Sequence, residues 1–414
     1  MDVLLDNIGL LATPTGVTVA RGQEQGKITL IENAAIGIDG NTITYVGCAD
    51  PSLKASCRID CKKRLVTPGL VDAHTHLVFG GWRHKEMARK LAGASYLEIL
   101  QSGGGILDTV RQTRLASEEE LTEKGMQLLD TMLHYGTTTA ECKSGYGLDT
   151  ACEVKQLRVI KNLCERGTVS LAATFMGAHA IPEEYKDKRK AYIDLVCDEM
   201  MPEVRKQNLA EFCDIFCETA VFTPDESRYI LGKARDHGFK LKAHVDEIDP
   251  IGGAEMAAEL GCLSAEHLIK ASDSGITALA AYNVIACLLP ATSFCLDKGY
   301  AKARQMVQEG VAVAVCTDFN PGSSPNLNLQ FAMYLACQKY KLTPAETLTA
   351  ATLNAAAAID RSARIGSIEI GKQADLVIWD APDLDYILYR YGDNLVHSVV
   401  KNGKVVVEKG KNDR

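Results

Sequence analysis

Eight short apolar segments alternate with segments of helical periodicity through the middle of the chain, between residues 67 and 365. The apolar segments have the length and composition of buried strands. Regular alternation of such strands with helices is typical of parallel βαβ units. We therefore predict strands at residues 69–76, 137–143, 170–179, 212–218, 240–247, 264–268, 284–290 and 311–319.

The helical segments between or after these strands often begin with Ser, Thr or Pro and end near a glycine, as helix capping favours. They lie at residues 118–134, 150–166, 224–237, 252–260 and 344–358. Eight parallel strands separated by helices close naturally into a (β/α)8 TIM barrel. A doubly wound open sheet has the same periodicity, so the pattern alone leaves that alternative open.

Both ends of the chain have a different pattern, with short β-branched runs separated by turns. Asp39-Gly40-Asn41 and Asn402-Gly403 are turn sequences typical of hairpins. Because chain termini commonly lie close together, we expect both ends to form one small domain. The predicted fold class is thus α/β: a (β/α)8 barrel at residues 67–365, and a discontinuous β-sandwich domain from residues 1–66 together with 366–414.

The composition is that of an ordinary globular protein, with 24% charged and 46% hydrophobic residues. The net charge is −8 and no block of Lys and Arg occurs, which argues against nucleic acid or an anionic membrane as a partner. No apolar run reaches the length of a membrane span, and we expect a cytoplasmic protein. The 14 cysteines are scattered, and we interpret them as reduced thiols without metal or disulfide.

Reactive side chains cluster at the ends of the predicted strands, where active sites lie on a barrel. Five of the nine histidines occupy such positions. A random distribution would have put most of them in helices and loops. The strand-end side chains are His74, His76, Glu141, Lys143, His179, Glu218, His244, Asp246, Glu247, His267 and Asp318.

His74 and His76 have a spacing that suits a metal site. Side chains two apart on a strand project to the same face, so both imidazoles aim at one point. With His244 and Asp318 they supply nitrogen and oxygen donors suited to zinc or iron. We predict one divalent or trivalent ion, zinc or iron, whose bound water would become acidic. Donor type alone does not choose between these metals.

Other polar residues near the strand ends suit catalysis and substrate binding. Glu247 could move a proton from water to a leaving nitrogen, and His267 could hydrogen-bond the water or a developing oxyanion. Arg83 has the planar fork that binds a carboxylate through two hydrogen bonds. Tyr146 and the loop at residues 320–325 lie in glycine-containing segments whose backbone can approach a ligand closely.

Several blocks together resemble the imidazolonepropionase family of the amidohydrolase superfamily. His-x-His is generic to the superfamily, whereas KSGYGL at residues 143–148 and TDFNPGSSP at residues 317–325 are more specific. Further matching blocks are HTHLVFGG with Arg83, LAGASY at residues 91–96, FMGAH at residues 175–179 and HVDE at residues 244–247. Trp82 departs from the pattern, which has a small or polar residue there, and this puts the shape of the pocket mouth in question.

The resemblance implies hydrolytic ring opening of 4-imidazolone-5-propanoate, a small anionic imidazolone, to N-formimidoyl-L-glutamate in histidine degradation. It implies one zinc or iron ion held by four ligands, of which Asp318 also takes part in catalysis, while Glu247 and His267 handle the water and its protons. A homodimer is the expected assembly. The implied metal ligands are His74, His76, His244 and Asp318, and the implied substrate contacts are Arg83, Tyr146, His179, Asn320, Gly322 and Ser323.

Two alternatives stay open at this point. A related amidohydrolase that deaminates a purine or pyrimidine ring would use the same metal ligands, although it would need Arg83 less because its substrates lack a carboxylate. A catalytically inactive barrel serving as a scaffold is the other alternative. Such a protein would typically have lost ligands, and this chain keeps the complete set.

Overall fold

The structure is a computed structural model. It describes residues 1–93 and 104–410, except for the side chain of Lys90. Residues 94–96 of the LAGASY block lie outside the described residues. The strands are β1 Val3–Thr13, β2 Thr29–Asp39, β3 Thr42–Cys48, β4 Cys57–Asp60, β5 Leu65–Pro68, β6 Leu70–Asp72, β7 Thr137–Lys143, β8 Ser170–Ala178, β9 Phe212–Cys217, β10 Lys240–Val245, β11 Ser264–His267, β12 Ile285–Leu288, β13 Val313–Val315, β14 Leu376–Trp379, β15 Val396–Lys401 and β16 Lys404–Glu408.

The strands β6 to β13 form one parallel sheet in which each strand pairs with its neighbour in sequence. The sheet closes on itself through a parallel bridge between Thr75, after β6, and Phe319, after β13. The N–H of Asp318 donates to the carbonyl of His74 at 3.1 Å, and that of His76 to the carbonyl of Phe319 at 2.8 Å. The predicted (β/α)8 barrel is therefore confirmed, and the doubly wound sheet is excluded.

Several barrel strands end earlier than the apolar pattern predicted. The backbone leaves the extended conformation at Asp246, His267 and Asp318, whose φ angles are 50°, 69° and 53°. Left-handed backbone at residues other than glycine is costly and concentrates at functional sites. These residues therefore lie at or just beyond the ends of their strands. His267 and Asp318 lie beside His74, whereas the Asp246 carboxylate accepts from the N–H groups of Gly253 and Ala254 at the start of the following helix.

The two chain ends pair in a second sheet, which contains β1 to β5 and β14 to β16. The N-terminal and C-terminal halves meet where β14 runs antiparallel to β5. The long strand β1 pairs with β2, β4 and β5, and a bulge between Leu5 and Ile8 bends it. The pattern predicts two short strands at residues 27–32 and 35–39, whereas the structure has one continuous strand there, β2. The domain boundaries at residues 66 and 366 stay a prediction.

The helices pack mainly around the barrel. One predicted helix, at residues 344–358, is divided because the carbonyl of Ala351 accepts a hydrogen bond from the N–H of Val71 at 2.9 Å. The described helices are α1 Glu86–Leu91, α2 Ile106–Leu115, α3 Glu118–His134, α4 Thr150–Arg166, α5 Arg189–Leu195, α6 Met201–Lys206, α7 Pro224–Asp236, α8 Gly253–Glu259, α9 Asp273–Ala281, α10 Pro290–Cys295, α11 Ala303–Gln308, α12 Leu329–Tyr340, α13 Pro344–Ala350, α14 Leu353–Ala358 and α15 Leu384–Tyr389. A π-helical segment, Val196–Met200, joins α5 to α6.

The 14 cysteines are free thiols, as expected, and most of them are buried or half-buried. Burial raises the pKa of the Cys61 and Cys197 thiols to about 12, which keeps them protonated and unreactive. Among the described helices, none combines the length and the apolar character needed to cross a membrane.

Candidate metal centre and active site

Four side chains converge at the mouth of the barrel: His74 and His76 just after β6, His244 in β10, and Asp318 just after β13. Nε2 of His74 lies 3.4 Å from Oδ1 of Asp318, and Nε2 of His76 lies 3.7 Å from the same oxygen. Nε2 of His244 lies 3.3 Å from Nε2 of His76. A tetrahedral zinc site with bonds of about 2.0–2.1 Å has edges of about 3.4 Å. These three separations are close to that edge length. His74, His76 and Asp318 form one possible metal-binding group, and His74, His244 and His267 form another that shares His74.

The buried nitrogens of these residues fit a metal better than a hydrogen-bond network. Within the described residues, both ring nitrogens of His74 and Nδ1 of His76 are buried without a hydrogen bond, so the contact of His74 with Glu266 is an ion-pair contact. Nδ1 of His74 lies 2.8 Å from Glu266, and Nδ1 of His244 lies 3.1 Å from Asp214. A carboxylate can only accept, so Nδ1 of each ring carries a proton, and in a neutral ring Nε2 then keeps its lone pair. This is the tautomer that a metal ligand needs.

The charge states of the ligands are set by burial and by neighbouring charges. Burial lowers the pKa of His76 and of His244 well below the ordinary value, so both are neutral donors at neutral pH. Burial also opposes the charged form of His74, but the Glu266 carboxylate outweighs it and raises the pKa of His74 to about 10. Without a metal ion His74 is therefore an imidazolium at neutral pH, and its Nε2 must lose a proton before it can bind a metal. Burial is likewise outweighed at Asp318, whose pKa falls to about 2 beside His74. Asp318 is therefore an anionic donor.

Below the donors lies a network of completely buried charges, which we call the charged layer: Glu141, Lys143, Asp214, Lys242 and Glu266. The ammonium of Lys143 contacts Glu141 at 2.8 Å, Asp214 at 2.7 Å and Glu266 at 3.1 Å. The ammonium of Lys242 contacts Glu141 at 2.8 Å and Glu266 at 3.0 Å. Each buried charge is thus compensated by close opposite charges, as burial requires.

Glu247 and His267 lie next to each other beside the candidate metal donors. Oε2 of Glu247 is 3.7 Å from Nδ1 of His267, and the His267 ring centroid is 5.2 Å from that of His244. Burial raises the pKa of Glu247 above its ordinary value, which favours proton exchange nearer to neutral pH. His267 also lies within reach of His74 and His244 as a possible metal ligand. The geometry alone therefore allows His267 either role.

Arg83 lies in the loop after β6 and faces the loop after β13. Its Nε and Nη2 donate to the carboxylate of Glu86 at 2.9–3.1 Å. Glu86 in turn accepts from the N–H of Gly105 at 2.6 Å. A Cβ added to Gly322 would lie only 2.1 Å from Nη1 of Arg83, so the guanidinium rests directly on that glycine. Glu86 thus holds the Nε and Nη2 edge of the Arg83 guanidinium, while Nη1 lies against Gly322.

Trp82 lies at the rim of the barrel, and its side chain is 44% exposed. Its ring packs edge-on against Phe79 at 5.0 Å, and the ammonium of Lys124 lies 4.5 Å from its centroid. Lys124 also donates to the carbonyls of Phe79 and Gly81. The unexpected tryptophan therefore helps to fix the backbone just before Arg83.

Tyr146 and His179 form one wall of the site. The His179 ring stacks on that of His76 at 4.9 Å and lies 5.3 Å from that of Tyr146. Nδ1 of His179 lies 3.0 Å from the carbonyl of Gly145, which can only accept, so Nε2 keeps the lone pair. Burial lowers the pKa of His179 to about 4, and the ring is neutral. Burial raises the pKa of Tyr146, which therefore stays a phenol.

The loop after β13 is held by Asn320. Its Nδ2 donates to the carbonyl of Asp318 at 2.7 Å and to Oγ of Ser323 at 2.9 Å. Its Oδ1 accepts from the N–H groups of Gly322 at 2.8 Å and Ser323 at 2.7 Å. The amide of Asn320 thus both donates and accepts hydrogen bonds within the loop. Asn320 therefore fixes the loop that Arg83 contacts at Gly322.

The structure brings together the candidate donors that the strand-end pattern predicts, but the pattern missed most of the groups that contact them. Asp214 and Lys242 received no role, although a charged residue inside an apolar strand was a signal for both. Glu153 was missed as well. It lies on α4, is completely buried and accepts from the N–H groups of Gly147 and Leu148 at 2.8 Å, which fixes the loop that carries Tyr146.

Comparison with known sequences places these residues in a family. Residues 65–406 match the amidohydrolase family model. An imidazolonepropionase of Alkaliphilus metalliredigens is 51% identical over 418 residues, covering 99% of both chains. An imidazolonepropionase of Streptococcus pyogenes serotype M4 is 50% identical over 395 residues, covering 94% of both chains.

Comparison with solved structures finds the same fold in distant enzymes. The zinc complex of atrazine chlorohydrolase from Arthrobacter aurescens has a TM-score of 0.73 at 19% identity, covering 98% of this chain and 95% of that one. A guanine deaminase from C. acetobutylicum with bound guanine has a TM-score of 0.68 at 15% identity, covering 98% and 99%. At these identities the likeness concerns the fold alone. By its sequence and its fold, the chain belongs to the amidohydrolase family and, within it, to the imidazolonepropionases.

Proposed function

We propose that the chain hydrolyses 4-imidazolone-5-propanoate to N-formimidoyl-L-glutamate. Water adds to the ring carbonyl carbon and the bond from this carbon to the ring nitrogen breaks, so a carboxylate forms and the nitrogen receives a proton. The observation that carries the proposal is the placement of Arg83 against the loop that follows the donor Asp318. An arginine that can bind a carboxylate, beside a set of possible metal ligands, suits a small anionic substrate. Two relatives that are 51% and 50% identical to this chain are named imidazolonepropionase.

The proposed cofactor is one zinc or iron ion, held by the donors at His74, His76, His244 and Asp318. When bound, such an ion would make water more acidic and withdraw electron density from the substrate carbonyl. The spacing of the donors, the neutral state of two imidazoles and the buried, unpartnered Nε2 of His74 support a single ion.

In the proposed reaction Glu247 moves the proton. Its carboxylate takes a proton from the attacking water and gives it to the ring nitrogen as the C–N bond breaks. A raised pKa suits both steps, since a stronger base also becomes a usable acid near neutral pH. His267 lies 3.7 Å from Glu247 and would hydrogen-bond the water or the oxyanion that develops on the carbonyl.

The substrate contacts divide between its two ends. Nη1 of Arg83 would bind the propanoate, with Gly322 and Ser323 at the same loop. Nε2 of His179 is an acceptor because Nδ1 donates to Gly145, so it would receive an N–H of the imidazolone ring. The Tyr146 phenol would donate to the substrate from the same wall. Asn320 completes this part of the pocket by holding its loop.

The test is an assay of ring opening of 4-imidazolone-5-propanoate on protein whose zinc and iron are quantified in the same sample. We expect turnover in proportion to bound metal, about one ion per chain, and loss of activity after chelation. Cytosine and guanine serve as control substrates. Ammonia release from either base without imidazolone opening would overturn the proposal in favour of a deaminase. Protein that stays metal-free and inactive after zinc and iron loading would favour the scaffold.

Two further expectations complete the proposal. The enzyme would act in the cytoplasm, and it would form a homodimer. Light scattering behind a sizing column measures the mass directly, and a mass other than that of two 44.8 kDa chains would contradict the dimer.

A further inference from the structure

We propose that Lys143 is a positioning residue of the metal centre: it holds Asp214 and Glu266, which in turn orient the ligands His244 and His74. This inference rests on the proposed metal site. Lys143 stands in the KSGYGL block at the end of β7, where neither the ligand set nor the proposed substrate contacts use it.

The ammonium of Lys143 is surrounded by carboxylates. The side chain is fully buried, donates a hydrogen bond to Asp214 at 2.7 Å, and forms ion pairs with Glu141 at 2.8 Å and Glu266 at 3.1 Å. The three acids come from the strands β7, β9 and β11. One buried cation thus links three alternate strands of the barrel.

Two of these carboxylates also contact the proposed metal ligands. Glu266 Oε2 lies 2.8 Å from Nδ1 of His74 and 3.3 Å from Nδ1 of His244, and Asp214 lies 3.1 Å from Nδ1 of His244. These contacts fix both rings with Nε2 toward the donor set. When a residue that hydrogen-bonds a metal ligand is replaced, metal affinity typically falls about 10- to 100-fold.

The ammonium is needed because the carboxylates repel one another. Glu141, Asp214 and Glu266 carry like charges in a buried cluster, where the medium screens them weakly. The ammonium of Lys242 pairs with Oε1 of Glu141 at 2.8 Å and with Oε1 of Glu266 at 3.0 Å, which are the oxygens that do not contact Lys143. Without Lys143, Asp214 would lose its 2.7 Å ammonium contact, and repulsion would displace the carboxylates from the imidazoles.

The experiment compares zinc affinity with folding stability in Lys143→Met, which keeps the length of the side chain and removes its charge. Lys401→Met is the matched control, because Lys401 is also buried and pairs with Asp375 at 2.7 Å, but in the terminal sheet. Metal-stripped proteins are titrated with zinc against a chelator, and their thermal unfolding is measured without metal.

We expect Lys143→Met to bind zinc about 10- to 100-fold more weakly than the unchanged protein. Lys401→Met should lose thermal stability while keeping its zinc affinity. Unchanged zinc affinity in Lys143→Met, at whatever thermal stability, would overturn the positioning role. Absence of zinc binding in the unchanged protein would instead overturn the proposed metal site, so the two failures are distinguishable.

If Lys143→Met does not fold, the double variant Lys143→Met/Asp214→Asn replaces it. This variant removes one charge of each sign, which reduces the repulsion, and keeps the shape of the side chain at position 214. We expect it to fold and to bind zinc at least about 10-fold more weakly. Zinc affinity equal to that of the unchanged protein would overturn the inference.

Discussion

The carboxylate of Glu218 accepts a hydrogen bond from the backbone N–H of Glu247 at 3.0 Å. It also accepts from the N–H groups of Ile248 at 2.8 Å and Asp249 at 3.2 Å. Glu218 follows β9, and the three donors belong to the loop after β10. One buried carboxylate therefore fixes the loop that carries the proposed proton-transferring residue.

This relationship predicts that Glu218→Gln lowers kcat more than it changes KM. An amide has one accepting oxygen and a donating NH2 group, so it cannot satisfy the same set of N–H donors. A displaced Glu247 would cost about 100-fold in kcat, measured on protein with full metal content. The control is Glu255→Gln, since Glu255 accepts from the hydroxyls of Ser272 and Ser274 at the start of α9. An unchanged kcat in Glu218→Gln would contradict the role.

Glu247→Gln should keep its metal and lose about two to four orders of magnitude in kcat. The amide cannot take a proton from water, and this range is usual for a lost general base or acid. Metal analysis and kinetics on one preparation separate the two effects. Loss of metal together with activity would show that Glu247 supports the metal site, and full activity would exclude it from proton transfer.

The acid limb of the pH profile of kcat/KM should reflect the titration of Glu247. Burial raises its pKa, and the base form is the active one, so the rate rises as the pH rises through this raised pKa. The acid limb should therefore lie above the ordinary glutamate pKa of about 4.3. The residual activity of Glu247→Gln should lack that limb. An identical limb in the variant would assign it to another group.

Arg83→Ala should raise KM by about 10- to 100-fold with a smaller effect on kcat. The guanidinium would bind the propanoate equally in the ground state and the transition state, and a hydrogen bond to a charged group is of this strength. Arg158→Ala removes an arginine that bonds Gln207 on the protein surface and serves as the control. A KM unchanged in Arg83→Ala would contradict carboxylate binding at this position.

Gly322→Ala should also raise KM, because the new methyl group would lie 2.1 Å from Nη1 of Arg83 and force the guanidinium to move. We expect a smaller increase than in Arg83→Ala, since a long side chain can shift and keep part of its contact. Gly392→Ala is the matched control, because a Cβ there meets nothing within 4 Å. Equal KM values in both glycine variants would show that Arg83 does not depend on Gly322.

Much of the fold was predictable because it depends on local patterns. The helices at residues 118–134 and 150–166 and the strand at 137–143 have the predicted bounds. The division of the helix at residues 344–358 was not predictable. It depends on the hydrogen bond between Ala351 and Val71, whose partners are far apart in sequence.

The sequence by itself determined which donors reach the mouth of the barrel. A strand alternates its side chains, and parallel strands end at one edge, so His74, His76 and His244 had to converge once the strands were recognised. Only the tertiary structure decided how these donors are held. Asp214, Lys143 and Glu266 lie on three different strands, and their contacts depend on strand register and side-chain reach, which no local pattern encodes.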